Sequence, residues 1–196
     1  MHIVHDWEFV EDGTTIKPLS AAFVREDGRE LYVIIRNHDH IDQAVRHPWL
    51  RQNVVPYLPI MPRHDDIKDW VWNRNHPDWV HVMPANRAAL AISSFIRATP
   101  DPWLWAWYSA YDHVVMCQGW GKMIDLPNGV PMQTDDIKTL EKIVARRRRV
   151  RRISWPSAMD KIKDNEHDAR ADARWGMAAL RHLDTLSPGL ISITKG

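Results

Sequence analysis

The sequence predicts an α/β fold: a mixed sheet, with three antiparallel strands first and parallel strands after them, flanked by helices. Two observations lead to this class. The tripeptide Glu-Asp-Gly occurs at 11–13 and again at 26–28, between short runs suited to strands, and Asp-Gly between such runs is typical of hairpins. An almost wholly apolar run at 103–108 is bounded by turn residues and followed by helical patterns, which indicates a strand buried on both faces. Strands followed by helices and a buried strand favour a sheet covered by helices.

The elements are expected in the following order. Three strands fill the segment from Ile3 to about Arg36. The segment 47–84 carries six of the 13 prolines, and because proline disfavours helix interiors and central strands, we expect an irregular insertion with short helical turns. Helices are then predicted at 86–97 with Asn86 as its cap, 111–118, 135–144, and from Asp168 to a point before Pro188. The Arg-rich block 146–152 is predicted to be a mobile loop.

Size and composition indicate one domain spanning 1–196. The 196 residues are 44% apolar and 26% charged, close to the globular average, which excludes disordered and fibrous classes. A net charge of +1 argues against a surface that is cationic throughout. The single cysteine, Cys117, fits a reducing compartment. Since no signal peptide or membrane span is apparent, we expect a cytoplasmic protein, in the host cytoplasm if a phage encodes it.

Two acids lie on the first predicted strand. Asp6 and Glu8 are two residues apart, so both carboxylates point to one face, while Trp7 and Phe9 occupy the other. A buried pair of like charges is costly unless a cation neutralises it, which suggests a hard metal ion with oxygen ligands. A solvated acidic face on an edge strand is the alternative.

A third acid, Asp112, follows the buried strand at the start of a predicted helix. Asp is favoured there simply as a helix cap. Its place just past the end of a strand also fits a ligand site, because ligands collect at the C-terminal ends of strands in open α/β sheets.

The last candidate pair is His167 and Asp172. On a regular helix these side chains would be about 140° apart, so they can converge only if His167 lies on a non-helical lead-in with Asp168 as the cap. The small residues Gly176 and Ala179 continue the face of Asp172 and would let this helix approach the sheet closely. Two alternatives remain: a solvent-exposed His167, and a pair formed by Asp168 and Asp172, which share a face at i,i+4.

These motifs together resemble a known family. Asp6-x-Glu8, Tyr111-Asp112 after a buried strand, and His167-x-x-x-x-Asp172 occur in the order found in the DEDDh 3'-5' exonucleases of the RNase H-like superfamily. Asp6-Trp-Glu-Phe-Val-Glu-Asp-Gly13, Leu104-Trp-Ala-Trp107 and His167-Asp-Ala resemble more narrowly the short exoribonuclease branch of mycobacteria and phages. The resemblance excludes 47–84 and the Arg-rich block.

The resemblance implies an RNase H-like sheet and two-metal hydrolysis of phosphodiester bonds at RNA 3' ends. Asp6, Glu8, Asp112 and Asp172 would bind two Mg²⁺ or Mn²⁺ ions, and His167 would be the general base. It also suggests a homodimer. The expected substrate is RNA that is single-stranded or has a 3' overhang. Two departures concern substrate contacts rather than metal ligands: Tyr108 replaces an asparagine common four residues before the third acid, and Trp7 replaces a smaller residue.

Further residues are candidates for substrate binding. Trp7 and Phe9 flank the acids, and aromatic side chains stack on unpaired bases. A basic loop next to an acidic site would bind phosphates, and its candidates are Arg146, Arg147, Arg148 and Arg149. A second metal cluster at His38, His40 and Asp42 is a weaker hypothesis. A DNA exonuclease of the same fold and a non-catalytic RNA-binding module are the alternative functions.

Overall fold

A computed structural model of the chain describes residues 1–160 and 166–193. A six-stranded sheet has the order β6-β3-β2-β1-β7-β8, and a separate two-stranded sheet pairs β4 with β5. The strands are β1 (His2–Glu11), β2 (Ile16–Arg25), β3 (Glu30–Ile35), β4 (Ile60–Pro62), β5 (Trp70–Trp72), β6 (Val82–Met83), β7 (Trp103–Ala106) and β8 (Asp135–Asp136).

Helices pack on both faces of the large sheet. They are α1 (His38–Arg46), α2 (Pro48–Asn53), α3 (Ala85–Arg97), α4 (Ala110–Gln118), α5 (Ile137–Arg147) and α6 (Ala169–Leu186). Short 3₁₀ helices lie at Val55–Tyr57, Pro77–His81, Met123–Asp125 and Ser157–Met159. Within the described part of the chain, every helix is too short or too polar to cross a membrane.

The pairing of β1 with its neighbours confirms the predicted mixed sheet. β1 and β2 are antiparallel, as are β2 and β3, and glycines with positive φ at Gly13 and Gly28 make the two turns. β7 runs parallel to β1, with Ile3 opposite Leu104, and β8 runs parallel to β7. The C-terminal ends of β7 and β8 therefore reach the same edge of the sheet as Asp6 and Glu8.

The two faces of the sheet bury different hydrophobic clusters. Val4 and Val10 on β1 pack with residues of α1, α5 and α6, whereas Ile3 and Trp7 pack with residues of α3 and α4. Because side chains alternate along a strand, Asp6 and Glu8 point to the first of these faces, the one that α6 covers.

The structure differs from the expected elements in several places. The predicted helix at 135–144 is one of them, because Asp135 and Asp136 form β8 and α5 begins only at Ile137. The segment 47–84 contains the β4–β5 pair and β6, which extends the main sheet beside β3, so it is more regular than its prolines suggest. Residues 38–46, which lie outside the predicted elements, form α1, because the Asn37 side chain accepts hydrogen bonds from two backbone N–H groups of its first turn. Pro84, rather than Asn86, precedes α3 as its N-cap residue.

Candidate active site

The acids on β1 lie in a cluster of carboxylates beneath the start of α6. Burial raises the pKa of Asp6 well above its ordinary value, and the charges of Asp112, Glu8 and Asp172 raise it further. The pKa of Glu8 is raised by burial and then by Asp172 and Asp112. Each carboxylate therefore makes its neighbours harder to ionise, so the cluster needs positive charge if all of its members are to be anionic.

Asp112 bonds to β1 rather than capping its own helix. Its Oδ1 atom accepts a hydrogen bond from the Trp7 backbone N–H at 3.0 Å, and Trp7 stands between the first two acids. Burial raises the pKa of Asp112 to about 7, although this backbone hydrogen bond lowers it. Asp136, the N-cap residue of α5, holds the start of α4 in place. Its carboxylate accepts hydrogen bonds from the backbone N–H groups of Ser109, the N-cap residue of α4, and of Thr139.

His167 lies on a non-helical lead-in to α6, as predicted. Asp168 is the N-cap, and its side chain accepts from the Arg170 backbone N–H. His167 has a φ of 72°, and its backbone N–H donates to Asp172 Oδ2 at 2.8 Å. Glu8, His167 and Asp172 each offer one ligand atom, and these three atoms lie within 4.8 Å of one another. The three side chains therefore lie together, as the family resemblance implies.

A close contact between α6 and β1 brings Asp172 to the strand. A Cβ atom added at Gly176 would lie 2.7 Å from Val4 Cγ1, so only glycine allows this separation of helix and strand. Asp172 is one turn earlier on the same helix. This contact confirms the prediction drawn from the small residues of α6.

An ion-pair clamp that sequence reasoning missed holds the start of α6. The Arg170 guanidinium donates to both carboxylate oxygens of Asp78, at 2.7 and 2.9 Å, and to Asp168 at 3.0 Å. The same guanidinium lies 4.3 Å from the centre of the Tyr32 ring. Asp78 belongs to the 47–84 segment, so that segment is fastened to the helix that carries Asp172. No local pattern pairs residues 92 positions apart.

Aromatic side chains line the candidate active site. Its cleft has a volume of about 360 Å³ and is lined by Asp6, Trp7, Glu8, Phe9, Trp107, Tyr108, Tyr111, Asp112, Glu166, His167, Asp172 and Trp175. Phe9 stacks on Tyr111 with ring centres 6.0 Å apart, and 63% of Tyr108 is exposed. From the 47–84 segment, Trp49 meets the His167 ring edge to face at 4.7 Å. No local feature of the sequence indicates a role for Trp49, because its place beside His167 depends on the tertiary fold.

The expectation that Trp7 stacks on a base is wrong. Only 7% of Trp7 is exposed, its ring meets Phe23 edge to face, and its indole N–H donates to His5 Nδ1 at 3.2 Å. Its side chain therefore belongs to the hydrophobic core. Phe9, by contrast, is only partly buried and lies in the cleft wall.

The second metal hypothesis fails on geometry. His38 stacks on Trp70, His40 Nδ1 is 3.0 Å from the Pro18 carbonyl oxygen, and Asp42 pairs with Arg46. Over residues 1–160 and 166–193, the one group of His, Cys, Asp or Glu side chains close enough to share an ion is that of Glu8, His167 and Asp172.

The arginine block lies away from the cleft, contrary to the expectation that it adjoins the acidic site. Arg146 and Arg147 form the last turn of α5, and the Arg148 guanidinium donates to the Leu186 carbonyl oxygen at the far end of α6. Asp172 and Leu186 are separated by 14 helical residues, a rise of about 21 Å. The sequence could not reveal this distance, because it follows from the directions of α5 and α6.

The donor set suits a hard divalent cation. Carboxylate oxygens are the ligands that Mg²⁺ and Mn²⁺ prefer, and the raised pKa values of Asp6, Glu8, Asp112 and Asp172 record a local excess of buried negative charge. A cation bound among them would remove this penalty. Such a site can polarise a phosphodiester and hold a water molecule near His167.

Two known proteins are similar in sequence to this chain. The chain is 35% identical over 142 residues to two proteins named 3'-5' exoribonuclease, from the CDC 1551 / Oshkosh and H37Rv strains of Mycobacterium tuberculosis. The match covers 71% of this chain and 73% of each relative. No protein-family model matches the chain.

A solved structure of exonuclease I shares the fold. It superposes with a TM-score of 0.57 at 14% identity and covers 95% of this chain. This chain spans 41% of the exonuclease I chain. The similarity confirms the expected RNase H-like sheet. The sequence identity to the two relatives, which extends over most of their length, agrees with this shared fold. The chain is therefore an enzyme of the DEDDh family of RNase H-like 3'-5' exonucleases.

Proposed function

We propose that this enzyme hydrolyses RNA from its 3' end and releases nucleoside monophosphates. The observation that carries the proposal is the convergence of Glu8, Asp172 and His167 within 4.8 Å, next to Asp6 and Asp112. The substrate class is inferred from the relatives, which are named as exoribonucleases.

Four carboxylates would hold two Mg²⁺ or Mn²⁺ ions, with Asp6, Glu8 and Asp172 as the main ligands and Asp112 completing the set. When bound, the ions supply Lewis acidity and stabilise the attacking and leaving oxygens of the phosphodiester. The chain contributes preorganisation: the Trp7 N–H orients Asp112, and the His167 N–H orients Asp172. These backbone bonds fix the carboxylates before substrate arrives.

His167 would act as the general base. Imidazole exchanges protons near neutral pH, and this ring lies in the cleft beside Glu8 and Asp172. Trp49 packs against it and limits its rotation. The imidazole would remove a proton from the attacking water as that oxygen approaches phosphorus.

A single strand fits the aromatic cleft better than a duplex. The exposed rings of Tyr108 and Tyr111, together with Phe9, offer flat surfaces to unstacked bases. Single-stranded RNA, or RNA with a 3' overhang, is therefore the proposed substrate. A cytoplasmic location rests on the single cysteine, and a homodimer rests on the family resemblance.

Substitution of the acids tests the proposed roles. We expect Asp6→Asn and Asp172→Asn to fold and to lower kcat by about 1000-fold or more, since several kcal/mol of transition-state stabilisation depends on the ions. His167→Ala should lower kcat by about 10²–10⁴-fold. The measurement is the shortening of a 5'-labelled single strand during a Mg²⁺ titration.

Glu11→Gln on β1 and Asp184→Asn on α6 are matched controls, because they neutralise acids of the same elements outside the cleft. Cleavage retained by Asp6→Asn or Asp172→Asn would overturn the ligand assignment. Tight binding without products in the unaltered protein would instead favour the non-catalytic module, and faster release from matched DNA would favour a DNA exonuclease.

A further inference from the structure

The arginine block marks the end of the sheet opposite the cleft. α6 begins beside Glu8, passes Val4 at Gly176, and donates from Arg181 to the Glu26 carbonyl oxygen at the β2–β3 turn. It therefore runs antiparallel to β1. From Glu8 back to His2, β1 spans about 20 Å, in agreement with the rise of about 21 Å along α6 from Asp172 to the carbonyl that Arg148 binds.

A row of basic side chains on α5 connects the cleft with this block. Lys138, Lys142 and Arg146 are spaced four residues apart, so they follow one another along one side of the helix. The Lys138 ammonium group lies 4.7 Å from the centre of the Trp107 ring, and Trp107 lines the cleft. Arg146, about 12 Å further along the helix axis, is the first residue of the block.

Most of these cations are available to a ligand. Lys142, Arg146, Arg147, Arg149, Arg151 and Arg152 are exposed. Over residues 1–160 and 166–193, none of them forms a salt bridge. Lys138 is the exception near the cleft, because it pairs with Glu141 at 2.5 Å. Repulsion within such a group is relieved when a polyanion binds.

We infer that these residues form a cationic track that binds phosphates of a single-stranded polynucleotide upstream of the 3' end held in the cleft. The cationic track comprises Lys138, Lys142, Arg146, Arg147, Arg149, Arg151 and Arg152. The inference rests on the proposed function for its direction, since the 3' end occupies the carboxylate end. Stacked nucleotides rise about 3.4 Å each, so a strand must extend about six nucleotides from the acids to reach the arginines.

The track makes affinity depend on length and salt. A dinucleotide has one phosphate, the scissile one, and cannot reach Lys142 or the arginines beyond it. A 12-mer can contact the whole track, and each phosphate that a Lys or Arg neutralises on a single strand contributes about 0.7 to the slope of log K against log salt.

The test uses a variant with four Gln substitutions, Lys142→Gln, Arg146→Gln, Arg149→Gln and Arg151→Gln. Binding of a fluorescein-labelled 12-nucleotide RNA is measured by anisotropy in EDTA, over a range of NaCl concentrations. We expect the salt slope to fall by about 0.7 per lost contact, up to about 3 in total. The double variant Arg87→Gln, Arg97→Gln on α3 is the control, and it is compared with Lys142→Gln, Arg146→Gln, which removes equal charge.

Hydrolysis in Mg²⁺ supplies the length comparison. In the variant with four Gln substitutions, the fold-loss of kcat/KM should be at least about ten times larger on the 12-mer than on a dinucleotide, because the substitutions remove only contacts to phosphates far from the cleft. Equal losses on both substrates, or an unchanged salt slope, would overturn the track. Its failure is distinguishable from that of the proposed function, because the EDTA binding measurement requires no catalysis.

Discussion

His167 and Tyr108 share an uncommon backbone conformation. Their φ angles are 72° and 62°, in the left-handed region that non-glycine residues seldom adopt. Both residues line the cleft. Strained residues persist where surrounding contacts hold them and are frequent at functional sites. At His167 the holding contacts are the Asp172 hydrogen bond and the clamp formed by Arg170.

Loss of the Arg170 clamp should affect both stability and catalysis. Arg170→Met would leave the Asp78 and Asp168 carboxylates without their shared partner, and we expect a loss of about 1–3 kcal/mol in the free energy of unfolding. Since Asp168 caps α6 next to His167, kcat should also fall. Urea unfolding and single-turnover hydrolysis measure the two effects.

Arg174→Met is the matched control. Arg174 also bonds one carboxylate through two nitrogens, that of Glu30, but it is exposed and on the next turn of α6. A surface pair of this kind contributes about 0–1 kcal/mol. If the two variants lose equal stability and equal kcat, the clamp does not position His167.

The site depends on how closely α6 packs against β1. Gly176→Ala places a methyl carbon 2.7 Å from Val4 Cγ1, which is closer than two carbon atoms can pack, so the helix must shift and carry Asp172 away from Glu8. We expect a destabilisation of about 1–3 kcal/mol and a lower Mg²⁺ affinity. Thermal unfolding and a Mg²⁺ titration of hydrolysis are the measurements.

A second substitution separates this steric effect from other causes. Val4→Ala removes the Cγ1 atom, so the double variant Val4→Ala, Gly176→Ala should regain Mg²⁺ affinity relative to Gly176→Ala alone. Failure of the double variant to regain it would mean that the Val4 contact does not set the position of Asp172.

Local patterns predicted the elements that local forces form. The two Asp-Gly turns fixed the hairpins, and the small residues around Gly176 indicated a helix close to the sheet. Contacts between distant segments were beyond such reasoning, because no periodicity joins Asp78 to Arg170 or places Trp49 on His167. Strand alternation correctly placed Trp7 on the face of β1 opposite Asp6 and Glu8, and its burial follows from that placement. The base-stacking role was suggested only by its aromatic ring.

Across the whole molecule, the charge is separated. Without the six arginines of 146–152, the net charge of +1 becomes −5, and part of that negative charge is the buried carboxylate cluster. The near-neutral total therefore combines an acidic cleft with basic residues about 20 Å away. This arrangement suits a polyanion that is held at one end and hydrolysed at the other.

The acid cluster should make the metal-free protein less stable as pH rises. The pKa of Asp112 is about 7 in the folded state and about 4 when unfolded. The folded state thus retains a proton that the unfolded state releases. This stabilisation is fully present below about pH 4 and is lost as pH rises through 7. The raised pKa values of Asp6 and Glu8 act in the same direction.

The measurement is the free energy of unfolding in EDTA between pH 6.5 and 8.5. Burial lowers the pKa of His5 to about 3. This shift makes stability rise with pH, but only up to about pH 6.5, above which His5 is neutral in both the folded and the unfolded state. Stability should decline with pH across this window, and Mg²⁺ should restore more of it at pH 8.5. Asp112→Asn, which keeps an oxygen for the Trp7 N–H, should show a shallower decline. A decline as steep as that of the unaltered protein would refute the assignment to Asp112.

The most direct test of the central claim is the product pattern from a 5'-labelled single-stranded RNA with Mg²⁺, resolved by gel and mass spectrometry. The proposed function predicts a ladder that shortens by one nucleotide at a time from the 3' end, with nucleoside monophosphates released and both lost in EDTA. Internal fragments, release from the 5' end, or the same ladder in EDTA would contradict it.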